Sequence, residues 1–583
     1  MAKTRVMVLC LDAFDPVLSD QLMAQGKLAG LARLKAESAR FELEHGPQGQ
    51  ARYTGLAWEH FSSGCKPETV EKWSAVSFDP VTFEVRQSHA TERPFLADVA
   101  AKCVVFDPPY FDLQAMPNGV GAVGWAGHDT GVHPHAQPAG LMDEIIGRFG
   151  PPSDVHTLNA TAYACAETTV RVAEMIRASV RQRVDIAEWL FSEREPEWDV
   201  AVLGFAEPHD SIELFYHGVD PDHHLADRPS VAAARDGLIG VYEEISAQIE
   251  RLMDRFPDVA FVVFSMHGMG KNDTDIPTML LLPELMHRMT FGQPLFRSRP
   301  DWQASRTPLL EAGECWHEAV IAAMRHKLSH RLMALPSRVR LKAGKIARRL
   351  VGLAPSQIDV DPLAERSFNC DWMPATQYAR YWTRMDAFGL PAYFDGRIRV
   401  NLRGRERHGR APLSRYDEIL DEIEATLRAC VDTKTGEPVV REISRPRRAD
   451  PRDMGQTEAD MTVIWNGSPV GFRHPVHGDI GPGPIRRAGG HSGGHGALYV
   501  RAPDLEAGDY GVRSSFDVAA AIIDLMEAVR PNRLDGVSAL DGLRPRQAPA
   551  PAFAPRRVRR SSVRAERVSN ETPANMTRCP VPG

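Results

Sequence analysis

Short apolar runs separated by longer helical stretches are the feature that most limits how this chain can fold. The runs lie at residues 6–11, 104–106, 200–205, 259–265, 461–465 and 498–500, and helical patterns occupy residues 231–253 and 516–526. Strands that alternate with helices are typical of a mostly parallel sheet covered by helices on both faces. The sequence therefore predicts a three-layer α/β/α sandwich with a mostly parallel sheet.

Acids and histidines follow three of these predicted strands. Asp12 comes directly after the first run, Glu207 and His209 follow the run at 200–205, and His267 follows the run at 259–265. In open α/β sheets, ligands collect beyond the carboxyl ends of the strands. We therefore expect these side chains to meet at one edge of the sheet and to form the functional site.

Histidine is the commonest metal ligand, and the chain contains 21 histidines. Three of them stand beside the predicted strand ends: His209, His267 and His491. His217 and His495 are reserve candidates. His223 and His224 lie in a loop rich in proline and aspartate, where we expect them to be exposed to solvent. The placement of the histidines, rather than their number, predicts a metal site.

The bulk composition excludes several classes of protein. None of the 583 residues lies in an apolar stretch long enough to span a bilayer, so we expect no transmembrane segment. The net charge of −7 argues against nucleic acid as a structural partner. The eight cysteines form no CxxC pair, and the apolar run near the N-terminus is too short for a signal peptide. We expect a cytoplasmic protein.

Two segments depart from the alternation of strands and helices. Residues 325–349 contain nine Lys or Arg and no acid, within a helical basic insert expected at about 285–375. This insert is either a solvated helical lid or a surface for an anionic substrate or the periphery of an anionic membrane. Residues 546–583 mix Pro, Ala, Arg and Ser, which predicts a disordered basic tail after one domain at 1–545.

Five short motifs together resemble one known family. They lie at residues 11–15, 53–58, 207–213, 264–270 and 489–491, and the segment at 125–129 (WAGHD) accompanies them. From about residue 5 to about residue 526 the chain is similar to the alkaline phosphatase superfamily, in its type I phosphodiesterase/nucleotide pyrophosphatase family. The resemblance implies an alkaline phosphatase-like core that carries the helical insert.

The resemblance also implies a chemistry. Members of the family hydrolyse phosphate esters with divalent cations, usually zinc, beside a Thr or Ser nucleophile. Position by position, Thr54 would be the nucleophile and would form a covalent phospho-threonine with an anionic phosphate-ester substrate. The metal ligands implied for one or two ions are Asp12, Thr54, His209, Glu213, His267 and His491. A helix-capping role for Thr54 and a surface pair of His209 with Glu213 are the plainer alternatives.

The chain departs from the family pattern at two places. Met266 stands where the family has an aspartate, and a thioether is a poor ligand for such cations, so Met266 is interpreted as a core-filling residue. Either Asp210, Asp273 or Asp275 replaces that ligand, or one metal is weak or absent. In the third motif the family has Asp and His four residues apart, whereas this chain has His209 and Glu213, a pair that zinc accepts. His217 extends the same helical face.

Two further functions stay open at this point. The loss of the aspartate at Met266 is compatible with a metal-depleted pseudo-enzyme or binding module that keeps the fold. A transferase would pass the phosphoryl group to an acceptor hydroxyl instead of water. Metal content separates the first of these from a hydrolase, and product analysis separates the second.

Overall fold

The computed structural model describes residues 4–45, 56–87, 90, 92–126, 131–153, 163, 165–311, 314–324, 370–446 and 448–543. Three predictions fall outside these described residues. They concern the nucleophile Thr54, the basic stretch at 325–349 and the tail at 546–583. The domain boundaries at 1–545, about 285–375 and 546–583 therefore stay predictions.

A nine-stranded sheet forms the centre of the fold, and its strands are labelled in chain order. Across the sheet they are Gly508–Ser514 (β20), Ala39–Glu44 (β2), His495–Arg501 (β19), Ala260–His267 (β9), Val6–Leu11 (β1), Val200–Phe205 (β8), Cys103–Phe106 (β5), Gly119–Val123 (β6) and His135–Gln137 (β7). The five strands from β9 to β6 run parallel, while β19 and β7 run antiparallel to their inner neighbours. In the register, Val8 lies between Val202 and Val262.

The central strands are buried on both faces because their side chains alternate between two cores. In β1, Met7 and Leu9 belong to one apolar cluster, and Val6 and Val8 belong to another. A parallel strand covered on both sides reads as a continuous apolar run, which is how the sequence shows it.

Helices cover both faces of this sheet. The α-helices among the described residues are Pro16–Ala24 (α1), Ala29–Ala36 (α2), Ala57–Ser63 (α3), Pro67–Val70 (α4), Leu141–Phe149 (α5), Ala166–Trp189 (α6), Glu207–Phe215 (α7), Val231–Arg255 (α8), Leu282–Phe291 (α9), Pro300–Ala304 (α10), Trp316–Ala323 (α11), Ala379–Trp382 (α12), Tyr416–Arg428 (α13) and Asp517–Leu525 (α14). Helices α6 and α8 pack together over one face, and α3 and α14 pack over the other. The predicted three-layer α/β/α sandwich with a mostly parallel sheet is confirmed. Within the described residues, no helix is both long enough and apolar enough to cross a membrane.

The described residues between 276 and 488 build a second core, and they are here called the antiparallel module. Its strands are Ala387–Leu390 (β11), Gly396–Val400 (β12), Val431–Asp432 (β13), Val440–Ser444 (β14), Met461–Trp465 (β15), Phe472–His474 (β16) and Gly478–Ile480 (β17). They form a four-stranded sheet in the order β11-β12-β15-β14 and a three-stranded sheet in the order β13-β16-β17. The described helices α9 to α11 also lie in the module, whose core includes the stacked rings of Trp382 and Phe388.

The module corrects one prediction. The run at 461–465 was expected to join the parallel sheet, but β15 pairs antiparallel with β12 and β14. Its residues alternate between buried and half-buried, the pattern of an antiparallel strand with one partly open face. A run of five residues, of which four are apolar, does not by itself distinguish these two kinds of sheet.

Two small strand pairs complete the fold. Val76–Phe78 (β3) and Val85–Gln87 (β4) form a hairpin that packs on the antiparallel module. Gly270–Lys271 (β10) and Gly489–Gly490 (β18) pair antiparallel, where the chain leaves β9 and where it returns from the module. The β10–β18 pair therefore brings His491 back to the carboxyl edge of the main sheet.

Candidate metal centre

The site lies at the carboxyl ends of β1, β8 and β9, which are neighbours in the sheet. The Asp12 N–H extends the ladder by donating to the carbonyl of Phe205 at 2.9 Å. The turn after Asp12 is fixed by Asp15, whose carboxylate accepts from the N–H groups of Leu18 at 2.7 Å and Met269 at 2.8 Å. Asp15 therefore ties the loop after β1 to the loop after β9.

Helix α7 begins directly beyond β8 and presents two of the predicted ligands. His209 and Glu213 are one helical turn apart, and His209 Nε2 lies 2.9 Å from Glu213 Oε1. The N-terminus of α7 is held by Glu207, whose carboxylate accepts hydrogen bonds from the buried Arg183 guanidinium and from Ser179 Oγ at 2.7 Å. The same Arg183 pairs with Asp107 at the end of β5. This buried network fixes the direction in which α7 leaves the sheet.

His491 completes a group of three. Its Nε2 lies 3.0 Å from Nε2 of His209, although the two residues are 282 positions apart in the chain. Among the described residues, His209, Glu213 and His491 form the group whose potential ligand atoms all lie within 4.8 Å of one another. The close approach of the chain before His491 to α7 depends on Gly489, because a Cβ there would lie 2.1 Å from the carbonyl oxygen of Ile212 in α7.

This three-residue group fits a divalent cation. Zinc–nitrogen and zinc–oxygen bonds of about 2.0–2.2 Å in a tetrahedron place neighbouring ligand atoms about 3.3 Å apart. The nitrogen–nitrogen and nitrogen–oxygen distances of 3.0 Å and 2.9 Å are close to that spacing. Two imidazole nitrogens with one carboxylate oxygen are also a donor set that zinc uses when it keeps a further position open.

Asp12 lies beside this group and is held from two sides. Its Oδ1 accepts a hydrogen bond from Trp58 Nε1 at 2.7 Å, and its Oδ2 lies 3.3 Å from His209 Nδ1. Burial raises the pKa of the Asp12 carboxyl, but the electrostatic interaction with His209 and the hydrogen bonds from His209 and Trp58 outweigh burial and leave that pKa below its ordinary value. Asp12 is therefore an anion in the site.

His267 is close to the group of three but does not belong to it. Its ring centroid lies 4.7 Å from that of His491, while its Nδ1 lies 3.1 Å from the carbonyl oxygen of Gly268. Burial lowers the pKa of His267, so its ring is neutral. Met266, the preceding residue, is buried in the apolar core with Phe264, which confirms the interpretation of Met266 as a core-filling residue.

The three acids proposed as substitute ligands lie outside the described group of three donors. Asp275 is bound by Arg486 Nη1 at 2.7 Å, Arg487 Nε at 3.0 Å and Asn272 Nδ2 at 2.8 Å. Asp273 lines a cavity beside them, where burial raises the pKa of its carboxyl to about 6. Asp210 is buried on α7.

The two reserve histidines and His223 make contacts away from the group of three donors. His217 was expected on the face of His209 and Glu213, but α7 ends at Phe215, and Nε2 of His217 lies 3.1 Å from Ser230 Oγ. His495 pairs with Glu42 at 2.8 Å, and both side chains are exposed. The expectation that His223 is exposed is wrong: it is buried and bonds to the carbonyl of Ala488 at 3.0 Å.

Sequence reasoning missed two residues that touch the site. Arg487 contacts the Glu213 carboxylate while its Nε binds Asp275, and burial lowers the pKa of Arg487 to about 9. Phe394, from the antiparallel module, places its ring centroid 4.2 Å from that of His491. The pair of adjacent arginines shortly before Gly489 is the one sequence feature that could have suggested Arg487. No sequence pattern around Phe394 suggests that it lies at the site.

Comparison with solved structures finds two proteins along most of the chain. Phosphonoacetate hydrolase from Sinorhizobium meliloti 1021, in crystals with phosphonoformate or phosphonoacetate, matches with 13% identity and a TM-score of 0.43, covering 90% of this chain and 96% of that chain. An inactive variant of murine ectonucleotide pyrophosphatase/phosphodiesterase 5 in complex with AMP matches with 10% identity and a TM-score of 0.41, covering 91% and 96%. No protein-family model and no curated protein sequence matches the chain.

Proposed function

We propose that the protein is a metal-dependent hydrolase of phosphate esters, of the phosphodiesterase/nucleotide pyrophosphatase type. The observation that carries the proposal is the convergence of His209, Glu213 and His491 beyond the ends of the parallel strands. Their chemistry fits a divalent cation, and zinc is the ion we propose. When bound, such an ion polarises a phosphoryl oxygen and favours the ionised form of a nearby hydroxyl.

The resemblance of the motifs supplies the rest of the reaction. Thr54 Oγ1 attacks phosphorus, the bond from phosphorus to the leaving oxygen breaks as that oxygen takes up the hydroxyl proton, and a phospho-threonine forms. Water then cleaves the phospho-threonine, which releases phosphate or a phosphomonoester and restores the hydroxyl. Glu213 and the two histidines hold the cation, and Phe394 covers one side of His491 against solvent.

Substitution of Thr54 tests this assignment. We expect Thr54→Ala to lower kcat/KM for bis-(p-nitrophenyl) phosphate and p-nitrophenyl phosphate by at least about 10³-fold, because the covalent step is lost. Thr54→Ser keeps a hydroxyl and is the matched control, expected to retain measurable turnover. The melting temperature of each variant shows whether the fold persists. Full activity of a folded Thr54→Ala protein would contradict the role of Thr54.

The burial of Met266 among apolar residues favours one alternative, a binding module that keeps the fold without catalysis. Metal-loaded protein with no turnover of either ester, but with tight binding of inorganic phosphate or AMP in calorimetry, would support that alternative. The transferase alternative is tested in the same reactions by adding an alcohol acceptor. A phosphorylated alcohol as the main product would identify a transferase.

A further inference from the structure

Asp12 lies beside the group of three donors described above but is not one of them. One carboxylate oxygen is occupied by the indole N–H of Trp58 at 2.7 Å, and the other faces the imidazole Nδ1 of His209 at 3.3 Å. Trp58 itself is buried against Phe264, so the indole is fixed. The carboxylate is therefore turned to the back of the His209 ring, on the side opposite Nε2.

This arrangement has a known consequence for a metal-binding imidazole. A histidine that donates its Nδ1 proton to a carboxylate keeps the lone pair on Nε2, and Nε2 of His209 is the atom that meets His491 and Glu213. A carboxylate behind a metal-bound histidine fixes its tautomer and its ring orientation and makes the ligand more basic. Asp12 has the geometry of such an orienting group.

Among the residues that the structure describes, those beside Asp12 do not form a ligand set for a second cation. Met266 is turned into the apolar core, and Nδ1 of His267 lies against the carbonyl of Gly268. Within the described part of the chain, this leaves no group of three potential donors around Asp12 and His267. Zinc sites in proteins use at least three protein ligands.

We propose that the protein holds one divalent cation through His209, Glu213 and His491, and that Asp12, anchored by Trp58, orients His209 from outside the coordination sphere. The inference rests on the metal site of the proposed function and changes its form, because a two-ion site would use Asp12 as a ligand. Asp12 and Trp58 are thus positioning residues.

Metal stoichiometry tests the first half of the inference. The purified full chain, stripped by chelation and dialysed against Co²⁺, is expected to retain about one ion per chain in elemental analysis. His491→Ala should retain none, and His495→Ala, which removes an exposed histidine, is the matched control with unchanged content. Two tightly held ions per wild-type chain would overturn the inference while the proposed hydrolase stands. No bound ion would overturn both.

Variants of Asp12 and Trp58 test the second half. Asp12→Asn and Trp58→Phe should weaken Co²⁺ binding by about 10- to 100-fold in calorimetry. At saturation each should still bind one ion, with the visible absorption band of the wild-type Co²⁺ form, because the three ligands are unchanged. A loss of bound ion, or a changed band, in Asp12→Asn would show that Asp12 is a ligand. Wild-type affinity in both folded variants would remove their positioning role. Turnover by Thr54 is measured separately, so its absence beside one bound ion would refute only the hydrolase.

Discussion

The buried Arg183 is the best single place to test how the site is supported. Its side chain is 1% exposed and pairs with Asp107 and Glu207, which are 3% and 1% exposed, at nitrogen–oxygen distances of 2.8 Å and 2.9 Å. Arg183→Met removes the cation and leaves both carboxylates in the core. Removing one partner of a buried ion pair costs about 3–5 kcal/mol. Because two buried carboxylates lose their partner, we expect the free energy of unfolding to fall by about 5 kcal/mol at pH 8.

The loss of stability in Arg183→Met should increase with pH. Burial raises the pKa of the Asp107 carboxyl above its unfolded value, and the charge of Arg183 is the strongest opposing influence. Without Arg183 this folded-state pKa rises further, so the folded variant keeps a proton that the unfolded chain releases. A raised folded-state pKa adds stability at low pH that disappears as the pH rises through it. The deficit of Arg183→Met is therefore expected to be smaller at pH 5 than at pH 8.

Urea unfolding followed by tryptophan fluorescence at the two pH values measures these differences. Hydrogen exchange over α6 and α7 shows whether the weakening is local to the network. Arg177→Met is the matched control, since Arg177 lies on the same helix in exposed ion pairs that contribute about 0–1 kcal/mol. Adding Asp107→Asn to Arg183→Met should recover part of the stability. A loss below about 1 kcal/mol, or an equal loss at pH 5 and pH 8, would refute the reasoning.

Two further predictions concern the metal centre. Gly489→Ala should raise the Kd for Zn²⁺ at least about tenfold in calorimetry, because the added methyl meets the Ile212 carbonyl and displaces His491. Gly494→Ala, in the same loop with open space at the Cβ position, should bind as wild type, and equal affinity of both variants would contradict the steric argument. Removal of metal with EDTA should lower the melting temperature of the wild type, since a ligand present at 100 times its Kd stabilises by about 2.7 kcal/mol. The melting temperature of His491→Ala should be the same with and without EDTA. If EDTA still lowers the melting temperature of this variant, the cation binds elsewhere.

The sequence predicts those parts of the fold that depend on a short, continuous pattern of residues. β1 and β8 have the predicted bounds because a strand buried on both faces is a continuous apolar run. The meeting of Asp12, His209 and His267 follows from the parallel order of β9, β1 and β8, which brings their carboxyl ends to one edge. The antiparallel module could not be predicted in this way, because alternate burial in β15 depends on neighbours far along the chain.

The same distinction separates the site residues. The spacing of His209 and Glu213 is a property of one helix and was predicted correctly as a pair. His217 fails as their neighbour because α7 ends at Phe215, which the apolar pattern does not mark. The contacts of Asp12 with Trp58 and of Glu213 with Arg487 join distant segments, so only the folded chain shows them. The role of Thr54 stays a prediction.

The β10–β18 pair has a consequence for how the protein is made. Two of the three proposed ligands are synthesised by residue 213, whereas His491 follows only after the whole antiparallel module, from residue 276 to residue 488, has been synthesised. A nascent chain can therefore build much of its parallel sheet without having a complete cation site. Metal capture is expected to be a late event of biosynthesis, and a chain released before Gly489 would carry two ligands and no means to close the site.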